Sequence, residues 1–145
     1  MNILVAVDFS NASQMILEKT RTLALALSAK VYILHVIEQE PDLDDEFGSE
    51  TLSGQLTREF PQEYKELQEE VDKLRKSDID ATAILTQGIT IETIVQKSKK
   101  LAADIIIVGS HGHGGVHHLM FGSVSEGILQ RASCPVLVIP THDRT

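Results

Sequence analysis

The sequence predicts an α/β fold: a single doubly wound domain, with a five-stranded parallel sheet and helices on both faces. Three observations carry this expectation. Runs such as Ile3–Val7 and Ile105–Val108 are apolar throughout, as in strands covered on both sides rather than half-solvated ones. Between such runs lie longer segments whose apolar residues recur every three or four positions, the period of an amphipathic helix. The two kinds of segment alternate along the chain, and right-handed crossovers turn that order into a parallel sheet.

Each element has its own signal. The first strand, Ile3–Val7, is ended by Asp8-Phe9-Ser10. Ser10 is a candidate N-cap for a helix over 11–28, with Ile16, Leu23, Ala24 and Leu27 on its apolar side. Val31–Ile37 is the second strand, and His35 within it reads as a core histidine with a hydrogen-bond partner. Residues 38–50 carry seven acidic side chains and no basic one, the composition of a solvated loop. Leu52, Leu56, Phe60, Tyr64, Leu67, Val71 and Leu74 mark a helix over 52–76, which Pro61 either kinks or divides. Then follow a strand at Ile79–Thr86, a helix over 91–102, a strand at 104–108, a helix over 123–132 and a last strand at Pro135–Pro140.

Composition narrows the function classes. A chain of 145 residues suits one domain, residues 1–145, with its own core. A net charge of −8 argues against non-specific nucleic-acid binding, which needs a basic footprint. No apolar run is long enough to span a bilayer, and no basic segment precedes the first apolar run. The expectation is a cytoplasmic protein without membrane insertion. The single cysteine, Cys134, excludes an internal disulfide and reads as a buried, inert thiol.

The stretch with most chemical content is 104–126. Its strand runs into a loop with Gly109, Gly112, Gly114 and Gly115, then reaches Gly122-Ser123 at a helix start. Exposed N–H groups, missing Cβ atoms and the helix dipole make such a loop a place to hold phosphate. It is not a P-loop, because no Gly-Lys-Ser/Thr follows. It is not a dinucleotide fingerprint either, since that would follow the first strand, where Asp8-Phe9-Ser10 has no glycine. Ser123 has two readings that can coexist, a phosphate contact and the N-cap of a capping box with Glu126. No Lys or Arg occurs from Leu101 to Gln130. A triphosphate would therefore bring Mg²⁺ or Mn²⁺, held through its own oxygens, water and Asp8. Asp8 could instead meet a ribose or stabilise its own turn. His111, His113, His117 and His118 read as solvated, as phosphate contacts or, less favourably, as zinc ligands; no metal-ligating residue is assigned.

At this point the chain resembles the universal stress protein family over essentially its whole length. Gly109-x2-Gly112-x9-Gly122-Ser123 matches the signature of that family's ATP-binding subgroup. Val7-Asp8-Phe9-Ser10, Leu34-His35-Val36 and Cys134-Pro135-Val136-Leu137-Val138 are similar as well. The resemblance implies an ATP site. In it Ala6 and Val7 lie at the adenine side, Asp8 meets the ribose and Val36 borders the base. Gly109, Ser110, His111, Gly112, His113, Gly114, Gly122 and Ser123 belong to the loop that holds the phosphates, Val124 follows, and Val108 is a further nucleotide-binding residue. It also implies a homodimer paired through the last strand, Val136–Ile139, and a stress-response regulatory role with a protein partner still to be named. Many relatives carry Lys or Arg soon after the second glycine, where this chain has His113, so AMP or ADP stands beside ATP. The alternatives are a slow ATPase, an AMP- or ADP-responsive regulator of a partner such as a transporter, and an interaction protein without ligand. No catalytic residue is assigned. The loop offers only Glu126 and the histidines, and no arginine finger.

Overall fold

The computed structural model describes residues 1–38, 53–110 and 122–141. Strands β1 (Asn2–Ala6), β2 (Lys30–Glu38), β3 (Ala81–Gly88), β4 (Ile105–Gly109) and β5 (Val136–Ile139) form one sheet in the order β3-β2-β1-β4-β5. Every neighbouring pair is parallel. The helices are α1 (Ser13–Leu27), α2 (Ser53–Glu59), α3 (Pro61–Lys76), α4 (Thr90–Lys100) and α5 (Ser123–Arg131).

Side chains alternate across the pleat, so each strand feeds two cores. On one face Ile3, Val5, Ile33 and Ile107 pack with Ile16 and Leu17 of α1, Leu56 of α2, and Leu67 and Val71 of α3. On the other, Leu4, Leu34, Ile106 and Val108 pack with Ile94 of α4 and Ile128 of α5. This is why the central strands read as unbroken apolar runs: the middle residues of β1 and β4 are buried on both faces. Burying each of these large side chains stabilises the fold by about 1.5–3 kcal/mol.

One expectation left open is decided and four others are corrected in detail. Of the two outcomes open at Pro61, the chain takes division, into α2 and α3. Pro61 takes the first position of α3, and Phe60 before it is forced out of helical geometry, at φ −125° and ψ 60°. Ser10 is not the N-cap of α1. The helix begins at Ser13 after Ala12, with no side-chain cap. The Asp8 carboxylate accepts the Ser10 N–H at 2.9 Å, and the Ser13 N–H donates to the Ser10 C=O. This Asx turn consumes the residues that a longer helix would have used. Leu27 is exposed, because the buried stripe of α1 runs through Ile16, Leu17, Thr20 and Ala24. Thr20 can sit in that stripe because its hydroxyl donates to the Ile16 C=O. Finally, Ile79 is buried but precedes the third strand. Asp78 adopts φ 63° and the Ile79 N–H returns to the Leu74 C=O, so Ile79 closes the end of α3 and β3 starts at Ala81. Cys134 is half-buried rather than buried, and packs at the edge of the second core. Among the described residues no helix is long and apolar enough to cross a membrane.

Candidate functional site

The strand order reverses between β1 and β4. Their outgoing chains leave in opposite directions and open a crevice at the carboxyl ends of the strands. A cavity of about 660 Å³ lies there, within the roughly 300–1,000 Å³ of small-molecule sites. Ala6, Val7 and Asp8 reach it from the end of β1 and Val36 from β2. Val108, Gly109 and Ser110 enter from β4, and Gly122, Ser123 and Val124 from the start of α5. His111, Gly112, His113 and Gly114 lie outside the described residues, as do His117 and His118.

Ser110 organises one end. It is buried, its N–H donates to the Ile139 C=O at 2.8 Å, and its own C=O accepts the Gly122 N–H at 2.6 Å. Its Oγ accepts the Thr141 N–H at 3.0 Å. The two ends of the glycine-rich stretch are thus tied together and anchored to the end of β5. The anchor places the first turn of α5 on the cavity. Gly122, not Ser123, is the N-cap, with φ −64° and ψ 156° and no side-chain cap. The expected capping box does not form: Glu126 is exposed, and its N–H donates to the Gly122 C=O. Ser125 donates its hydroxyl to that same carbonyl, and no side chain caps the helix. The early N–H groups of α5, where the positive end of the helix dipole sits, are left without a side-chain partner, which is the chemistry an anion needs.

The rest of the cavity is apolar with an acidic rim. Ala6, Leu34, Val36, Ile94 and Val108 form one wall from the second core. Phe9, Ile16 and Ile37 form another. Among the described residues Asp8, Glu38, Glu63 and Glu66 are its acidic lining, and no Lys or Arg lines it. Glu38 accepts the Thr90 hydroxyl at 3.0 Å, which fixes the rim where α4 begins. Asp8 serves its own turn and also faces the cavity. Among the described residues no group of three His, Cys, Asp or Glu side chains is arranged to hold a metal ion.

Phe9 and His35, which the sequence places at the carboxyl ends of the first two strands, line the cavity as well. Glu63 and Glu66 were not singled out by the sequence, because the approach of α3 to the cavity is a tertiary fact with no local signature. A second hollow of about 700 Å³ lies along α4 and the end of β3, lined in part by Lys97, Lys99 and Lys100. It sits away from the strand reversal and from the N-terminus of α5.

Comparison with known proteins places this geometry. The sequence profile of the universal stress protein family matches residues 1–140. A universal stress protein of Thermus aquaticus is 31% identical over 144 residues, covering 94% of this chain and 96% of its own. Universal stress protein MJ0577 of Methanocaldococcus jannaschii is 29% identical over 150 residues, 94% of this chain and 93% of its own. The solved structure of MJ0577 superposes with a TM-score of 0.78, at 27% identity over 99% of this chain and 97% of that one. Two more distant solved structures share the fold and hold ligands. One is a universal stress protein in complex with cAMP, at 22% identity and TM-score 0.72, covering 98% of each chain. The other is the Archaeoglobus fulgidus protein in complex with dAMP, at 23% identity and TM-score 0.63, covering 96% of this chain and 97% of that one. With the family profile spanning nearly the whole sequence, the chain belongs to the universal stress protein family.

Proposed function

We propose that this universal stress protein binds an adenine nucleotide, ATP first and AMP or ADP as alternatives, and acts as a homodimeric regulatory sensor rather than an efficient enzyme. The observation that carries the reading is the uncapped N-terminus of α5, tied through Ser110 to the end of β4 and facing a partly apolar cavity at the strand reversal. Phosphate suits the helix end, and a flat apolar base suits the wall of Ala6, Val36, Ile94 and Val108. The cAMP and dAMP complexes of two relatives support the same class of ligand.

The residues fit such a ligand in charge only with help. The cavity's acidic residues, with no Lys or Arg among them, favour a nucleotide whose phosphates carry Mg²⁺ or Mn²⁺. Phosphate oxygens and water would supply most of the coordination, with Asp8 near enough to take part or to meet the ribose. Homodimer formation is part of the reading: β5 is an edge strand, Leu137 is 40% exposed, and an unpaired apolar edge needs covering. Cytoplasmic location and a protein partner that senses occupancy complete it.

The test is nucleotide extraction. Protein purified without added ligand is denatured, and the released small molecules are identified by chromatography and mass spectrometry. An adenine nucleotide at a fixed ratio to protein supports the reading, and its phosphate count separates ATP from AMP or ADP. A non-nucleotide ligand at that ratio would overturn it.

A further inference from the structure

The ladder between β1 and β2 ends irregularly. Ala6 opposite Leu34 is its last pair in register. One step further, the Val7 N–H still donates to the Leu34 C=O at 2.9 Å. In a regular parallel ladder the next bond would run from the Val36 N–H to the Val7 C=O. Among the described residues that bond is not made. The Val7 C=O instead accepts a hydrogen bond from Nδ1 of His35 at 2.8 Å. A carbonyl oxygen can only accept, so Nδ1 is a nitrogen that carries a proton.

The imidazole is held there from a second side. The Phe9 ring lies 4.5 Å from it, centroid to centroid. Phe9 has φ 60°, a conformation that costs a bulky residue energy and persists only when its surroundings enforce it. A side chain of β2 has therefore taken the place of a backbone bond between the strands.

The consequence falls on Val36. Backbone groups alternate in direction along a strand, so the N–H and C=O of Val36 point toward β1, as those of Leu34 do. With the Val7 C=O occupied, that donor and acceptor stay open at the cavity that Val36 lines. A donor and an acceptor side by side complement a flat ring whose edge carries one acceptor and one donor. Adenine offers such an edge in N1 and its exocyclic amino group.

We propose that His35 is a positioning residue for base recognition: by occupying the Val7 carbonyl it stops β1 and β2 from zipping further, and it keeps the Val36 N–H and C=O open to a purine edge. The proposal rests on the nucleotide reading above. His35→Asn retains a side-chain N–H where Nδ1 stands, whereas His35→Leu removes the donor and frees the Val7 carbonyl for Val36.

The experiment is amide hydrogen exchange at Val36 in wild type and both variants, with and without ATP and Mg²⁺, beside equilibrium titrations with ATP and with inorganic tripolyphosphate. The Val36 amide is expected to exchange freely in ligand-free wild type and His35→Asn, and to become protected when ATP binds. In His35→Leu it is expected to be protected without ligand. ATP affinity then falls about ten-fold, the worth of roughly one net hydrogen bond, while tripolyphosphate, which has no base, binds as before. A protected Val36 amide in ligand-free wild type would overturn the proposal. So would His35→Leu with wild-type ATP affinity, or with equal losses for ATP and tripolyphosphate. Should His35→Leu fail to fold, His35→Asn decides: a ten-fold loss of ATP affinity there contradicts the role assigned to the donor. Failure of wild type to bind ATP would sink the nucleotide reading instead, and the ligand-free exchange data separate the two cases.

Discussion

Asp8 joins structure to chemistry at the smallest scale. Its carboxylate accepts the Ser10 N–H and so shapes the turn between β1 and α1, while the residue faces the cavity. Two substitutions separate these tasks. Asp8→Asn keeps an acceptor for the turn but removes the charge, so stability should change little while nucleotide affinity falls. Asp8→Ala removes both and should cost about 1 kcal/mol of stability as well. Urea unfolding beside an ATP titration reads the two effects, and equal stability of the two variants would contradict the assignment. Cys134 gives a prediction of the opposite kind, an absence of chemistry. Burial pushes its thiol above the ordinary range, and the Asp104 carboxylate adds to this, partly offset by a backbone hydrogen bond with Ile106. Only the thiolate reacts, so alkylation at neutral pH should be slow, with a rate that rises through a pKa above that of a free cysteine. Fast labelling at pH 7 would contradict this. The sequence revealed Asp8 because it ends an apolar strand. It did not reveal that Ser10 would lose the capping role, because that depended on where the Asp8 oxygen found a donor.

Among the elements, the strands were the most legible. β1 and β4 are covered on both faces, so their composition alone announces them, and their observed ends lie within two residues of those expected. The helices were legible where one stripe is buried, as in α3, and less so in α1, where leucines occur on more than one side and only the packing decides. Leu25 and Leu27 are exposed there, while Thr20 is buried. The junction of β3 and α4 shows what periodicity does not encode. Gly88 has φ 157°, and a Cβ built on it would lie 2.5 Å from Oγ1 of Thr93, a buried residue. Gly88→Ala is therefore expected to destabilise the protein by about 1–3 kcal/mol, measured as a lower urea midpoint at unchanged slope. A variant as stable as wild type would mean that Thr93 rotates away without cost. The same junction carries the Thr90–Glu38 hydrogen bond at the cavity rim, so nucleotide affinity should fall in this variant too.

For the whole molecule, the strand order β3-β2-β1-β4-β5 sets both the position of the cavity and the exposed edge. Pro135 and Ile139 turn their carbonyls to β4, where they accept from Ile106 and Ser110. By alternation Val136 and Val138 direct their backbone groups outward. Val138→Pro therefore removes an outward N–H while sparing the ladder to β4. If dimers form by pairing of β5, this variant should be monomeric in sedimentation at concentrations where wild type is dimeric, with its fold intact; an unchanged dimer would place the interface elsewhere. The topology was readable from the alternation of elements. The far wall of the cavity, with Glu63 and Glu66, was not, because no local pattern says which end of α3 will overhang it. The central claim is that the first turn of α5 holds the phosphates of an adenine nucleotide. Its most direct test is calorimetric titration of nucleotide-stripped protein with ATP, ADP and AMP in the presence of Mg²⁺, beside Gly122→Val, whose side chain would stand at the helix cap on the cavity. Saturable binding at one nucleotide per chain, lost in Gly122→Val while the fold survives, is the predicted result. No binding of any of the three at millimolar concentration, or equal binding by wild type and Gly122→Val, would contradict it.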